Sequence, residues 1–248
     1  MTQRLFLLSP ADWGAAGVGD VVRVSGPEAR HAVQVVRLGV GEIVLVSDGA
    51  GRRGTGEVVE ASRDGGLAVR LTLLEVVPEP APRFVLVQAL AKGDRDEQAV
   101  EAATELGVDV VVPWQAERSI VQWRGAKEER GRERWESVVT AAAKQSRRGR
   151  VPLVEPVVRT AGARLRVEGA ALALVLHEDA TMPLATVDLP AAGDVVLLVG
   201  PEGGITPAEL TAFEAAGACA VRLGPEVLRS SSAGPAALAV LNARGRWR

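Results

Sequence analysis

Three features of the sequence predict a two-domain α/β protein: a first third of short strand-like runs, a proline-rich break near residue 80, and a longer second part in which near-continuous apolar runs alternate with amphipathic segments. The chain has 248 residues, 47% hydrophobic and 24% charged, which is an ordinary globular mixture with enough length for two cores. A formal net charge of −2 gives no global positive field, so any nucleic-acid binding must come from local patches, and no DNA partner is expected. The longest apolar runs, such as VVLLV at 195–199, are far shorter than the roughly 20 residues that cross a bilayer. The opening MTQRLFLLSPADW is interrupted by an Asp soon after its short apolar run, which argues against a cleaved signal and makes the cytoplasm the expected location. One cysteine, Cys219, and two histidines, His31 and His177, offer no metal-ligand spacing, so no metal is expected; Cys219 reads as an inert, buried strand thiol.

In order along the chain, residues 1–76 supply the runs RLFLL, DVVRVS, EIVLVSDG, GTGEVVEA and LAVRLTLLEVV between Gly-containing turns, which suggests a small β barrel. One interruption, SGPEARHAVQVVRLG, is helical: Pro27 suits a first helical position, and apolar residues recur at 29, 32, 33 and 36. VVPEPAPRF follows, and its three prolines at 78–82 favour a stiff, extended connection, so residues 77–82 read as a linker and 83–248 as the second domain. There, strands are predicted at 84–90, 108–114, 171–178, 194–200 and 218–224, with helices near 94–106, 127–147, 206–216 and 233–244. Their continuous apolar character suits a mostly parallel sheet covered on both faces.

The segment DVVLLVGPEGGITPAELTAFEAAG carries the most chemical information. A buried strand ends in a turn containing Gly200, Gly203 and Gly204, then enters a helix marked by Thr206 as N-cap, Pro207 at the first helical position and Glu209 three residues on. In parallel α/β sheets such strand-to-helix crevices bind ligands. The turn is neither G-x-G-x-x-G nor a Walker sequence and lacks the phosphate-binding Lys, so a nucleoside ligand without phosphates fits it better. The next strand ends in a second Gly-Pro turn and an Ala/Leu helix, RLGPEVLRSSSAGPAALAVLNA, and a third apolar strand ends in LVLHED at 174–179.

With GPEGG and LGPEVLR at two of these three strand ends, the chain resembles the SPOUT class of S-adenosylmethionine-dependent RNA methyltransferases. More narrowly, it is similar to the ribosomal RNA small subunit methyltransferase E family. The resemblance runs nearly end to end, through RHAVQVVRLGVGE, KGDRDEQAVEAATELGV, ERSIV and the ERWESVVTAAAKQSRRGRVP region. It implies a PUA-like RNA-binding β domain over 1–76 and a methyltransferase domain over 83–248 whose C-terminal segment is threaded into a trefoil knot. It also implies a homodimer, S-adenosylmethionine as cofactor, and methylation of N3 of a decoding-region uridine in 16S rRNA of the small ribosomal subunit. A 2′-O or other base acceptor, or a non-catalytic rRNA-binding assembly protein, remains open on the residues alone. One departure stands out: the family commonly shows LRTETA where this chain has LRSSSA, so no role of that acid transfers to Ser231.

By family position, the cofactor residues are Leu176, His177 and Glu178 at the first strand end, Val199 with Gly200, Pro201, Glu202, Gly203, Gly204 and Ile205 at the second, and Leu223, Gly224, Val227, Leu228, Ser230 and Ser232 at the third. Arg229 suits an imidate-like uracil or a phosphate, with a structural ion pair as the alternative. Glu202 can orient the cofactor, accept a proton or bond backbone N–H groups, and His177 can touch the cofactor or close a turn. No residue stands out as a general base.

For RNA, the resemblance points to Arg30, His31 and Arg37 on the predicted helix of the first domain, with Arg4 and Lys92 as further contacts. Residues 124–150 carry nine basic and four acidic side chains, a surplus of five positive charges. The acids lie in the first half, where i,i+4 pairing accounts for them, whereas KQSRRGR has none, which selects Lys144, Gln145, Arg147 and Arg148 as phosphate contacts. With no Tyr and three Phe, a multi-aromatic stacking platform is not expected, and Trp114, Trp123 and Trp135 read as core or dimer contacts.

Overall fold

A computed structural model describes residues 3–62 and 66–247. By internal contacts the chain forms two units, residues 1–79 with 143–151, and residues 80–142 with 152–248. The division at 79/80 falls inside the proline-rich segment. Residues 143–151, which the sequence suggested belong with the second domain, pack in the first unit instead.

The first unit contains β1 (Leu5–Leu7), the short helix α1 (Pro10–Trp13), β2 (Val21–Val24), α2 (Gly26–Arg30), β3 (Ile43–Ser47), β4 (Arg52–Ser62) and β5 (Gly66–Val76). They form one sheet in the order β1-β3-β4-β5-β2, with β1 and β2 as its edges. The result is a half-barrel, in keeping with the small PUA-like β barrel expected. Strand alternation sets its inside: Val22 and Val24 of β2 are buried while Val21 and Arg23 are exposed. The core joins Phe6, Trp13, Val46, Val58, Leu67 and Val69. At Gly56 the strands approach so closely that a Cβ would lie 2.5 Å from the Arg70 carbonyl oxygen, so only glycine fits.

The predicted helix at 25–39 forms but widens. After α2, residues His31–Val35 make a π turn, closed by Val36 N–H donating to His31 O at 2.9 Å. Leu38 N–H then returns to Ala32 O at 3.1 Å, which throws Arg37 into the left-handed region at φ 61°. Residues 143–151 are fastened to this unit by Ser47 Oγ donating to Gly149 O, Val151 N–H to Gly49 O, and Arg150 Nε to Val77 O. Lys144 Nζ pairs with Glu28 Oε1 at 2.5 Å.

The second unit contains β6 (Arg83–Ala89), α3 (Arg95–Glu105), β7 (Val110–Gln115), most of α4 (Ala126–Gln145), β8 (Leu153–Val154), β9 (Val158–Arg159), α5 (Thr160–Glu168), β10 (Leu172–Leu176), β11 (Met182–Pro183), β12 (Asp194–Val199), α6 (Pro207–Ala215), β13 (Cys219–Arg222) and α7 (Ser230–Arg244). Its sheet runs β11-β13-β10-β12-β6-β7-β8, with β9 also on β7, and its strand pairs are parallel. One face packs Val85, Val87 and Val112 under α5 and α6, where Phe213 meets Trp114 edge-on at 5.3 Å. α3 and α7 pack against each other, and α7 against β6 and β12. Trp114 and Trp135 are fully buried, the latter edge-on to Trp123.

Helix α5 was not expected from the sequence; its mixed TAGARLRVE buries only Ala163 and Val167, an i,i+4 pair too short to register as amphipathic. The expectation of a buried Cys219 also fails. It opens β13, whose outer neighbour β11 has two residues, so little chain is available to cover it, and it is exposed. Among the described residues, no helix is long and apolar enough to cross a membrane.

Candidate active site

The parallel strands bring the C-terminal ends of β10, β12 and β13 together, and the loops beyond them enclose a cleft of about 770 Å³. That volume is within the usual range for small-molecule sites. Leu176, His177 and Glu178 line it after β10; Val199 and the whole turn from Gly200 to Ile205 line it after β12; Leu223, Gly224, Val227, Leu228, Arg229 and Ser230 line it after β13. Of the cofactor residues expected from the sequence, only Ser232 is outside the lining, since it sits on the exposed side of the first turn of α7.

The loop after β12 is held from several sides. Gly204 N–H returns to Pro201 O at 2.9 Å with Gly204 at φ 74°, and a Cβ on Gly200 would lie 2.7 Å from Ile205 Cγ1. Arg118, which follows β7, donates to Gly203 O at 2.9 Å. The capping box at the start of α6 forms as expected: Thr206 Oγ1 accepts from Glu209 N–H, and Glu209 Oε2 accepts from Thr206 N–H. Glu209 is buried and its other oxygen accepts from Glu117 N–H at 2.9 Å and Thr160 Oγ at 2.8 Å, so one carboxylate ties three loops.

Glu202 accepts from Lys92 N–H at 3.2 Å and from Arg95 Nη1 at 3.0 Å. Burial works to raise its pKa, but hydrogen bonds from its own N–H, Arg95 and the Lys92 N–H prevail and hold it below the ordinary glutamate value. A carboxylate so stabilised is a weak base, and its visible work is to bond loop groups. His177 closes a turn, its Nδ1 accepting from Asp179 N–H at 3.2 Å, while the same residue lines the cleft.

Sequence reasoning did not select Arg95, Arg118, Asp179, Leu210 or Arg222, which also line the cleft. Arg118 was within reach, since it follows a predicted strand end on the same side of a parallel sheet. Arg95 depends on how α3 packs, which periodicity does not encode.

The cleft suits S-adenosylmethionine. Its walls combine apolar side chains, among them Leu176, Val199, Ile205 and Leu223, with Gly-rich backbone and charged side chains of both signs, among them Arg95, Arg118, Glu178, Glu202 and Arg229. Ser230, 8% exposed, has a hydroxyl with no partner among the described residues. An orphaned buried hydroxyl on a cleft wall is the mark of a group a ligand completes.

The expected RNA residues fall mainly in the first unit. Arg4, Arg30, His31, Arg37, Gln145 and Arg147 are exposed there, Arg148 is partly buried, and Lys144 is drawn into the pair with Glu28. Lys92 alone belongs to the second unit, exposed beside the backbone that holds Glu202. In the first half of α4 Arg132 pairs with Glu129 and Glu136 of the same helix, and Arg134 with Glu97 of α3.

Comparison with known proteins agrees with this geometry. Residues 78–242 match a family described as an RNA methyltransferase domain, and residues 24–69 one described as an RNA methyltransferase PUA domain. A ribosomal RNA small subunit methyltransferase E of Mycobacterium tuberculosis is 44% identical over 92% of this chain and 89% of its own length. That of Bacillus subtilis is 27% identical over 88% of each chain. A crystal structure of the Neisseria gonorrhoeae enzyme of the same name, bound to S-adenosyl methionine, superposes with a TM-score of 0.84, 26% identity and 98% coverage of both chains. Half-barrel, parallel sheet and strand-end cleft thus converge on one assignment: this chain belongs to the ribosomal RNA small subunit methyltransferase E family.

Proposed function

We infer that this protein is an S-adenosylmethionine-dependent methyltransferase of small-subunit ribosomal RNA, and we propose N3 of a decoding-region uridine in 16S rRNA as the acceptor. The observation that carries the reading is the cleft itself, built by three adjacent strand ends from nearly all the residues assigned to the cofactor, in a chain similar over 98% of its length to a relative bound to S-adenosyl methionine. When bound, the cofactor supplies an electrophilic methyl group. The protein's part is to hold the loops after β10, β12 and β13 around it, and to place a base in line with that methyl. Arg229, exposed on the cleft wall and in no ion pair among the described residues, is the cation available to a uracil oxygen or neighbouring phosphate.

The first unit is read as the RNA-holding part. Arg37 and Arg147 are both exposed and both adopt left-handed backbone, at φ 61° and 57°, at helix ends where glycine is the unstrained choice. Keeping arginine at such positions supports a role for the side chains. The knotted threading is supported by the path after β13, which returns from outside β10 to pack α7 on β12 and α3. A homodimer is the expected assembly. The expected setting is the cytoplasm, with neither membrane nor DNA as partner.

The test is calorimetric titration with S-adenosylmethionine and S-adenosylhomocysteine, then methyl transfer to small subunits lacking their native modification, with the product mapped. Binding and transfer to a uridine N3 support the reading. Transfer to another atom corrects the acceptor, and absence of cofactor binding leaves a non-catalytic rRNA-binding protein.

A further inference from the structure

Two helices begin at the cleft, and they begin differently. α6 is closed by its capping box, whereas α7 has Arg229 at the cap with no side-chain bond and no acid in its first turn. Ser232 and Ala233 N–H groups return to Arg229 O, but those of Ser230 and Ser231 find no partner among the described residues. The Ser230 hydroxyl, more than nine-tenths buried on the cleft wall, is likewise unpartnered. An open helix N-terminus carries roughly half a positive charge, and the unpaired Arg229 guanidinium stands at its head.

We propose that Arg229 and the open N-terminus of α7 form a cationic frame that admits the acceptor uracil as its N3-deprotonated anion, so that no side chain of the protein serves as general base. This rests on the acceptor assigned above. The N3 proton leaves to solvent; the N3 lone pair forms the new N–C bond as the methyl–sulfur bond breaks, and an anion and a sulfonium become two neutral products. Other charged groups facing the cleft are Arg95 at α3, Arg118 after β7, His177, Glu178 and Asp179 after β10, Glu202 after β12, and Arg222 and Glu226 after β13. Glu202 is committed to Arg95 and the Lys92 N–H, and Glu178, Asp179 and Glu226 are solvent-exposed. The side chain at 231 is a serine in the first turn of α7, outside the cleft lining, so a carboxylate placed there acts on the frame through the charge of the helix terminus.

The experiment is single-turnover transfer to unmodified small subunits across pH, at saturating cofactor, with S-adenosylhomocysteine binding measured in parallel. The expected result is that Ser231→Glu moves the rising limb to higher pH and slows transfer at neutral pH about tenfold, the effect of about one pKa unit on the acceptor. The neutral Ser231→Gln keeps the wild-type profile, and both bind S-adenosylhomocysteine nearly as wild type does. Faster transfer by Ser231→Glu, the same loss in Ser231→Gln, or loss of the pH dependence in Glu202→Gln would overturn the proposal. Should Ser231→Glu not fold, Arg229→Gln is expected to move the profile upward and Arg229→Lys to return it; an equal loss at every pH argues against the frame. A wild type that methylates no uridine removes the acceptor assignment instead.

Discussion

The loops after β12 and β13 line the same cleft and both are rich in glycine and proline, yet they are held in opposite ways. The first is bonded from outside: Arg118 to Gly203 O, Lys92 and Arg95 to Glu202, and the Glu209 carboxylate to groups of three segments. The second, from Pro225 to Arg229, is exposed throughout and leads into a helix whose first N–H groups are free. A loop with its polar groups satisfied internally is preorganised; one with open donors is completed by what binds. The cleft therefore has one wall closed by its own bonds and one whose donors stay open among the described residues.

The sharpest way to break this contrast is Glu209→Ala, which strands the Glu117 and Thr206 N–H groups beside a buried gap. A loss of about 3 kcal/mol is expected from chemical denaturation. Gly200→Ala comes next: the new Cβ must displace Ile205, at a cost of about 2 kcal/mol in loop packing, read as weaker S-adenosylhomocysteine binding by calorimetry. If the first wall were as adaptable as the second, neither change would register.

A milder test moves the comparison to the first unit, where Lys144 is paired and Arg37 and Arg147 are exposed but strained. Arg37→Gly and Arg147→Gly should each leave stability unchanged or raise it by up to about 1 kcal/mol, while weakening RNA binding and flattening its salt dependence. Stability and RNA titration together check this, since a purely structural arginine would move only the first.

The smallest effect concerns the Arg95–Glu202 pair. Because Glu202 is held below the ordinary value of 4.5 in the folded protein, its contribution is present above that value and lost as pH falls through the lowered one. Arg95→Ala should therefore cost under ~1 kcal/mol at neutral pH, given the exposure of the pair, and the difference from wild type should vanish in acid. Denaturation at several pH values reads it.

Much of this organisation is legible in residue order. The continuous apolar runs at 84–90 and 194–200 predict buried parallel strands because a strand covered on both faces cannot alternate, and β6 and β12 are those strands. Thr206, Pro207 and Glu209 predict the start of α6 because capping is local chemistry. The residues assigned to the cofactor were read from strand ends and the family motifs; nearly all of them line one cleft, while Ser232 lies outside its lining, because which side of a helical turn faces a cleft is set by packing.

What sequence alone determined, then, is what depends on neighbours a few residues away: strands, caps, the glycine turns and the two kinds of charge in α4. Tertiary structure decided which unit KQSRRGR joins, because Ser47, Glu28 and Val77 meet residues 73 to 116 positions away only after folding. It also decided the exposure of Cys219, the recruitment of Arg95 and Arg118, and the open end of α7. Each of these turns on whether a distant group arrives to satisfy a donor or cover a side chain, and a linear pattern carries no record of that.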